Sequence, residues 1–192
     1  MIKGLSDLEI INNNNDIIKK KINNFKIIQE KLKDNFNENF DYFNQIKEDD
    51  TKIILETHNK LKEIFNINEK YIELFNDKEL KNILTELYNK CMIILLRNKN
   101  INDKNINDKN NIINYYNIYQ KEQEILYIRK NKDYGDAYLL FGIIGIIIRI
   151  QDKLQRLISI LNNKKIEIND ETIFDTLIDL TNYSILALIL YK

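Results

Sequence analysis

Gly142-Ile-Ile-Gly-Ile-Ile-Ile-Arg-Ile-Gln-Asp-Lys-Leu-Gln-Arg-Leu-Ile-Ser-Ile-Leu161 is the stretch on which the fold class turns. Up to Ile150 it is dense in β-branched isoleucine, and a buried strand has to be considered there. The apolar pattern then runs on through Leu154, Leu157, Ile158 and Leu161, too far for a strand and with the period of a helix. The same i, i+3, i+4 spacing recurs along a chain with no Pro and only four Gly, so an all-α helical bundle is expected. Helices are predicted at 7–32, 36–48, 50–66, 77–98, 111–131, 136–162 and 170–191, the last capped by Asn169-Asp170.

Composition narrows the function classes. Lys plus Arg balance Asp plus Glu at 29 each, so no global charge draws the chain to a nucleic acid polymer or an anionic membrane, and any phosphate recognition is local. The single cysteine, Cys91, excludes an intramolecular disulfide framework, and its apolar neighbours read as core rather than as a catalytic thiol. The only histidine, His58, reads as an ordinary surface or interface residue. The N-terminus is polar, without a signal-type apolar segment, and the apolar run Phe141 to Ile148 is too short to span a bilayer, so an intracellular, cytoplasmic protein is expected.

The polar repeat at 101–110 divides the chain into halves, 1–100 and 111–192. A shift of 93 residues places Lys60-Leu61 on Lys153-Leu154 and Asn76-Asp77 on Asn169-Asp170 without a gap; Leu84, Leu87, Asn89 and Leu95 fall on Leu177, Leu180, Asn182 and Leu188. An internal duplication folding as a pseudo-dimer is therefore expected. The charged residues differ between the copies: Arg149 faces Glu56, Asp152 faces Asn59, Arg156 faces Glu63 and Asp175 faces Asn82, while Asp179 keeps its acid as Glu86. The first half reads as a degenerate copy that supplies packing, and the second as the half that carries a nucleotide and metal site.

That site is expected on two helix faces. Arg149, Asp152 and Arg156 are spaced i, i+3, i+7, and Glu171, Asp175, Asp179 and Asn182 are spaced i, i+4, i+8, i+11, one face each. Carboxylates on so apolar a helix need partners, because burying them bare costs several kcal/mol each. Mg²⁺ held by Asp152, Glu171, Asp175 and Asp179, with phosphates neutralised by Arg149, Lys153 and Arg156, would provide them; an ion-pair network joining the two helices is the alternative. Gly142 and Gly145 allow close approach of a helix or a ligand. Gly135 suits a positive φ, Asp136 suits a cap, and Tyr134 or Tyr138 could stack on a base.

With those residues in hand, the second half resembles the nucleotide modification associated domain family of phages and bacteria, akin to the all-α NTP pyrophosphohydrolases of the MazG and dimeric dUTPase group. The resemblance lies in Lys132-Asp133-Tyr134-Gly135, Gly142, Gly145, Arg149-Ile-x-Asp152-Lys153-x-x-Arg156 and Asn169-Asp170-Glu171-x-x-x-Asp175-Thr176-x-x-Asp179-Leu180-x-Asn182-Tyr183. It implies a MazG-like bundle, acid-bound Mg²⁺, a nucleotide ligand and homo-oligomerisation. Two departures stand out. The pyrophosphohydrolases' Glu-x-x-Glu pair is met only by Glu122-Gln123-Glu124, and the family's usual tryptophan is Tyr138.

The expectation is a Mg²⁺-dependent NTP or dNTP pyrophosphohydrolase-like protein of phage origin. Asp152, Asp175 and Asp179 would be catalytic, and Arg149, Lys153, Arg156, Tyr134 and Asn182 would bind the nucleotide. The alternative is a non-catalytic binder that sequesters a nucleotide-derived signal as an anti-defence protein.

Overall fold

The computed structural model describes residues 3–41, 49–67, 77–100, 109–135, 137–163 and 172–191. Among them all regular structure is helical: α1 (Lys3–Glu38), α2 (Asp50–Ile67), α3 (Asp77–Asn100), α4 (Lys109–Tyr134), α5 (Ala137–Leu140), α6 (Gly142–Asn163) and α7 (Ile173–Leu190). The expected all-α bundle is what forms.

Two helices make the centre. α7 packs on α1, α3, α4 and α6, and α3 packs on α1, α2, α4 and α7. The reason lies in their sequences. Leu177, Ile178, Leu180, Ile185, Leu186 and Ala187 point around most of the α7 circumference, so the helix is stable only when neighbours cover it on several sides. Its hydroxyls do not oppose burial, because they turn back onto the helix. Thr181 Oγ1 donates to the Ile178 carbonyl at 2.7 Å and Ser184 Oγ to that of Leu180 at 2.9 Å. By length and composition α7 could cross a membrane, yet 61% of it is buried inside the bundle, as befits a core helix.

Several expected boundaries are corrected. The break near residue 32 does not occur: α1 runs to Glu38 because Leu32 and Phe36 both enter the core and no Gly or Pro interrupts them. The rest of the expected 36–48 helix, at 42–48, lies outside the described residues, as do 101–108 of the expected linker; Lys109 and Asn110 already belong to α4. The cap of the last helix is Thr172 rather than Asn169-Asp170. His58 is buried, not superficial, and burial together with the nearby Lys62 charge holds its pKa below the usual value despite a hydrogen bond with Asn59. Cys91 is buried in the core as expected, and burial pushes its thiol pKa up.

The single helix expected at 136–162 is broken at Phe141. Gly142 adopts φ +55°, a left-handed conformation that costs an L side chain energy, while a Cβ there would meet nothing within 4 Å. Gly145 is needed for the opposite reason: a Cβ on it would lie 2.7 Å from the Cβ of Phe141. The two glycines thus turn α5 back over the start of α6, and the expected close approach at Gly145 is made by the chain itself.

This separates two substitutions. Gly142→Ala should cost about 1–2 kcal/mol in urea unfolding, and Gly142→Asn distinctly less, because Asn tolerates left-handed backbone. Equal costs for the two would mean that backbone conformation is not what glycine supplies there.

Candidate functional site

A cavity of about 590 Å³ opens where α4, α5, α6 and the middle of α7 converge. Its walls follow helical spacing. α4 contributes Tyr127, Lys130 and Asn131, α6 contributes Gly145, Ile146, Arg149, Asp152 and Lys153, and α7 contributes Asp179, Tyr183 and Leu186, each set on one face. Tyr138, Leu140 and Phe141 border it from α5 and the turn that Gly142 makes. Its size suits a nucleotide-sized ligand.

The electrostatic centre is Asp179. Its carboxylate is buried on α7, and each oxygen meets a different lysine: Oδ1 takes Lys130 Nζ and Oδ2 takes Lys153 Nζ at 3.0 Å. Such pairing offsets the cost of taking a carboxylate out of water. Lys130 Nζ also lies 5.8 Å from the centre of the Tyr183 ring. Arg149 and Asp152 are exposed at the cavity, and neither has a hydrogen-bond or ion-pair partner among the described residues. The lining therefore carries Lys130, Arg149 and Lys153 against Asp152 and Asp179, three cations to two anions.

Of the residues expected from sequence, Arg149, Asp152, Lys153 and Asp179 are brought together. Asp175 is not: it lies in the first turn of α7, where Thr172 and Asp175 form a capping box. Thr172 Oγ1 accepts from the Asp175 backbone N–H at 3.1 Å, and Asp175 Oδ2 accepts from the Thr172 N–H at 3.0 Å and from its hydroxyl at 2.7 Å. Asn182 also faces elsewhere; its Nδ2 donates to the Gln123 carbonyl at 3.3 Å inside the bundle. Arg156 lies on α6 beyond the cavity lining. Glu171, Asp136 and the Tyr134 side chain lie outside the described residues.

Of the four carboxylates expected to hold Mg²⁺, Asp152 faces the cavity and Glu171 lies outside the described residues. Asp175 is committed to the cap and Asp179 to two lysines. Among the described residues no three acidic, His or Cys side chains gather as a metal cluster. Glu122-Gln123-Glu124 supplies no replacement: Gln123 is buried, and Glu124 pairs with Lys26 and Lys121, each at 3.0 Å.

Lys130 is the residue that sequence reasoning passed over. It lies three positions beyond Tyr127 on the buried α4 face that also holds Tyr116, Tyr119 and Gln123. A cation on an otherwise apolar and amide face is the available signal, but it is weak when Lys is abundant throughout.

Residues 130–190 match the family described as Nucleotide modification associated domain 1. The matched domain begins at Lys130 and so contains every lining residue of the cavity except Tyr127. No curated protein and no solved structure matches the chain.

The cap gives a pH-dependent prediction. Hydrogen bonds from the Thr172 hydroxyl and backbone N–H, aided by the Lys153 charge, hold the Asp175 carboxyl below its ordinary value of 3.8. A depressed carboxyl pKa adds stability above the unfolded value and loses it as pH falls through the folded one. Thr172→Ala should thus cost about 1 kcal/mol in neutral urea unfolding. The difference from wild type should shrink below about pH 4. A cost that stays constant with pH would show that the Asp175 carboxylate takes no part in the cap.

Proposed function

We propose that the cavity of the nucleotide modification associated domain binds a phosphate-bearing nucleotide or nucleotide-derived molecule and holds it without a protein-bound metal. The observation that carries this reading is the convergence of Lys130 from α4 with Arg149 and Lys153 from α6 on one cavity bordered by Tyr127, Tyr138, Phe141 and Tyr183. Ammonium and guanidinium groups recognise phosphate oxygens by charge-assisted hydrogen bonds, with the Arg fork suited to two oxygens at once. The aromatic side chains offer ring faces for a base. Asp179 keeps the two lysine termini at the wall before a ligand arrives, which lowers the entropy lost on binding. Binding that sequesters such a molecule, in the manner of an anti-defence protein, needs nothing further.

Hydrolysis is the second reading, and Asp152 is the residue that favours it. This exposed carboxylate sits one turn from Arg149, facing the cavity and without a partner among the described residues. It is the acid free to orient a water or to join phosphate oxygens around a Mg²⁺ that arrives with the ligand, since Mg²⁺ is often held by one or two carboxylates plus phosphates.

A thermal-shift screen of nucleoside mono-, di- and triphosphates, with and without Mg²⁺, tests the binding reading. A nucleoside phosphate should raise the melting temperature in Mg²⁺-free buffer. Arg149→Ala and Lys153→Ala should each weaken its binding about ten- to a hundred-fold, the loss expected for one charged hydrogen bond. Stabilisation by none of them, or unchanged affinity in both variants, would refute the proposal. Recovery of intact ligand after incubation supports sequestration; Mg²⁺-dependent release of pyrophosphate that is lost in Asp152→Asn supports hydrolysis.

A further inference from the structure

The two halves pair as the protomers of a two-fold dimer do. Exchange α1 with α4, α2 with α6 and α3 with α7, and the packed pairs among these six helices map onto one another; α5, which packs on α6, has no counterpart among the described residues of the first half. α1 packs on α4, α2 on α6 and α3 on α7; α2–α3 has its image in α6–α7, α1–α7 in α3–α4, and α1–α3 in α4–α7.

Side chains obey the same exchange. Gln29 Nε2 donates to the Gln120 carbonyl at 2.9 Å, and Gln120 Nε2 donates to the Gln29 carbonyl at 2.9 Å. On α1 and α4 the shift is 91 residues, from Gln29 to Gln120, which carries Phe25 to Tyr116 and Phe36 to Tyr127. Phe25 stacks on Tyr127 with ring centres 4.4 Å apart, and the image of that pair, Tyr116 with Phe36, is in contact at 4.7 Å. Reciprocal contacts of this kind, i with j and j with i, are the mark of an isologous interface.

At the shift of 93 the ion pairs repeat as well. Lys153–Asp179 at 3.0 Å has its counterpart in Lys60–Glu86 at 2.9 Å. Asn182 and Asn89 each send Nδ2 to the first helix of their own half, to the Gln123 carbonyl and to Asn35 Oδ1.

We infer that the chain is a fused pseudo-dimer that contains a second copy of the anion site, sealed by its own charges. Where the second half has Tyr183 the first has Lys90, and where it has Arg149 the first has Glu56. The Lys90 ammonium is buried and bridges Glu86 at 2.8 Å, Glu56 at 3.5 Å and the Thr57 hydroxyl at 3.4 Å. Burial opposes ionisation of Glu86, but hydrogen bonds and charge from Lys60 and Lys90 outweigh it and hold its carboxyl below the usual range. The arginine that would receive a phosphate is replaced by a carboxylate that would repel one, and the lysine is spent on that carboxylate. One chain then presents one open site, and the two-fold contact that could join two copies is already satisfied internally. The sealed-site part of the inference rests on the cavity being an anion site.

Titration calorimetry of the full-length chain with inorganic tripolyphosphate, in Mg²⁺-free buffer, tests it. Wild type should show one binding event per chain, and two equal events would overturn the seal. The double variant Glu56→Arg/Lys90→Tyr gives the first half the residues of the second and should add a second, weaker event. A folded double variant that still shows one event overturns the equivalence of the two positions. Should that variant melt early, the converse Arg149→Glu/Tyr183→Lys decides: it should remain folded and lose the event at least ten-fold in affinity, and retained binding overturns the proposal. No event in wild type would count against the cavity reading instead, leaving the symmetry to Leu87→Ala and Leu180→Ala. These two leucines are fully buried at equivalent positions, so similar drops in melting temperature support the pseudo-two-fold and a several-fold difference overturns it.

Discussion

Asp179 is a carboxylate buried on the most enclosed helix of the bundle, and Lys130 reaches it from α4 and Lys153 from α6. A charge in that position constrains everything around it. Removing one partner from a buried ion pair leaves an uncompensated charge and is far more costly than losing an exposed pair. The C-terminal part of α4 and the middle of α6 must therefore approach α7 closely enough for both ammonium groups to arrive. The cavity is the space left beside that junction, and the glycine turn at 142 brings α5 back to close its far side.

The counterpart in the first half clarifies what this node is for. Glu86 also holds two lysines, yet the second of them, Lys90, comes from its own helix one turn away. There the network turns inward and satisfies itself. In the second half the equivalent of Lys90 is Tyr183, so the second lysine is recruited from α4, and a ring takes the place of an ammonium beside the cavity. Two exchanges of residue type, Lys90 for Tyr183 and Glu56 for Arg149, separate a closed ion-pair network from cations that line an open cavity. The acid–lysine pair is thus a feature of the fold, present in both halves, whereas the excess of positive charge belongs to the second half alone.

That view also reassigns the acidic stripe of the last helix. Spaced by four, Asp175 and Asp179 look alike in one dimension. In three they have different tasks: one completes a capping box at the helix start, where a carboxylate meets unsatisfied N–H groups, and the other neutralises lysines in the core. A shared helix face made them candidates for one metal site, and in the structure each has its own local partners.

The helical fold class, the core leucines of α3 and α7 and the grouping of Arg149, Asp152, Lys153 and Asp179, which line one cavity, were legible in the sequence. Apolar periodicity and charge spacing act over one or two helical turns, and such patterns survive in one dimension. Less legible was whatever depended on a partner distant along the chain. Lys130 lies 49 residues before Asp179, and the bonding of Gln29 with Gln120 spans 91, with no local pattern to announce either. The break at Phe141 was hidden for a different reason: the apolar run continues across it, and only the φ of Gly142 with the crowding at Gly145 reveals the turn. The sequence by itself determined that the chain is helical and which helix faces are apolar or charged, because those follow from local periodicity. Tertiary structure alone decided which carboxylate caps a helix, which holds lysines and which faces the cavity, because each is settled by the groups that packing brings within a few ångströms.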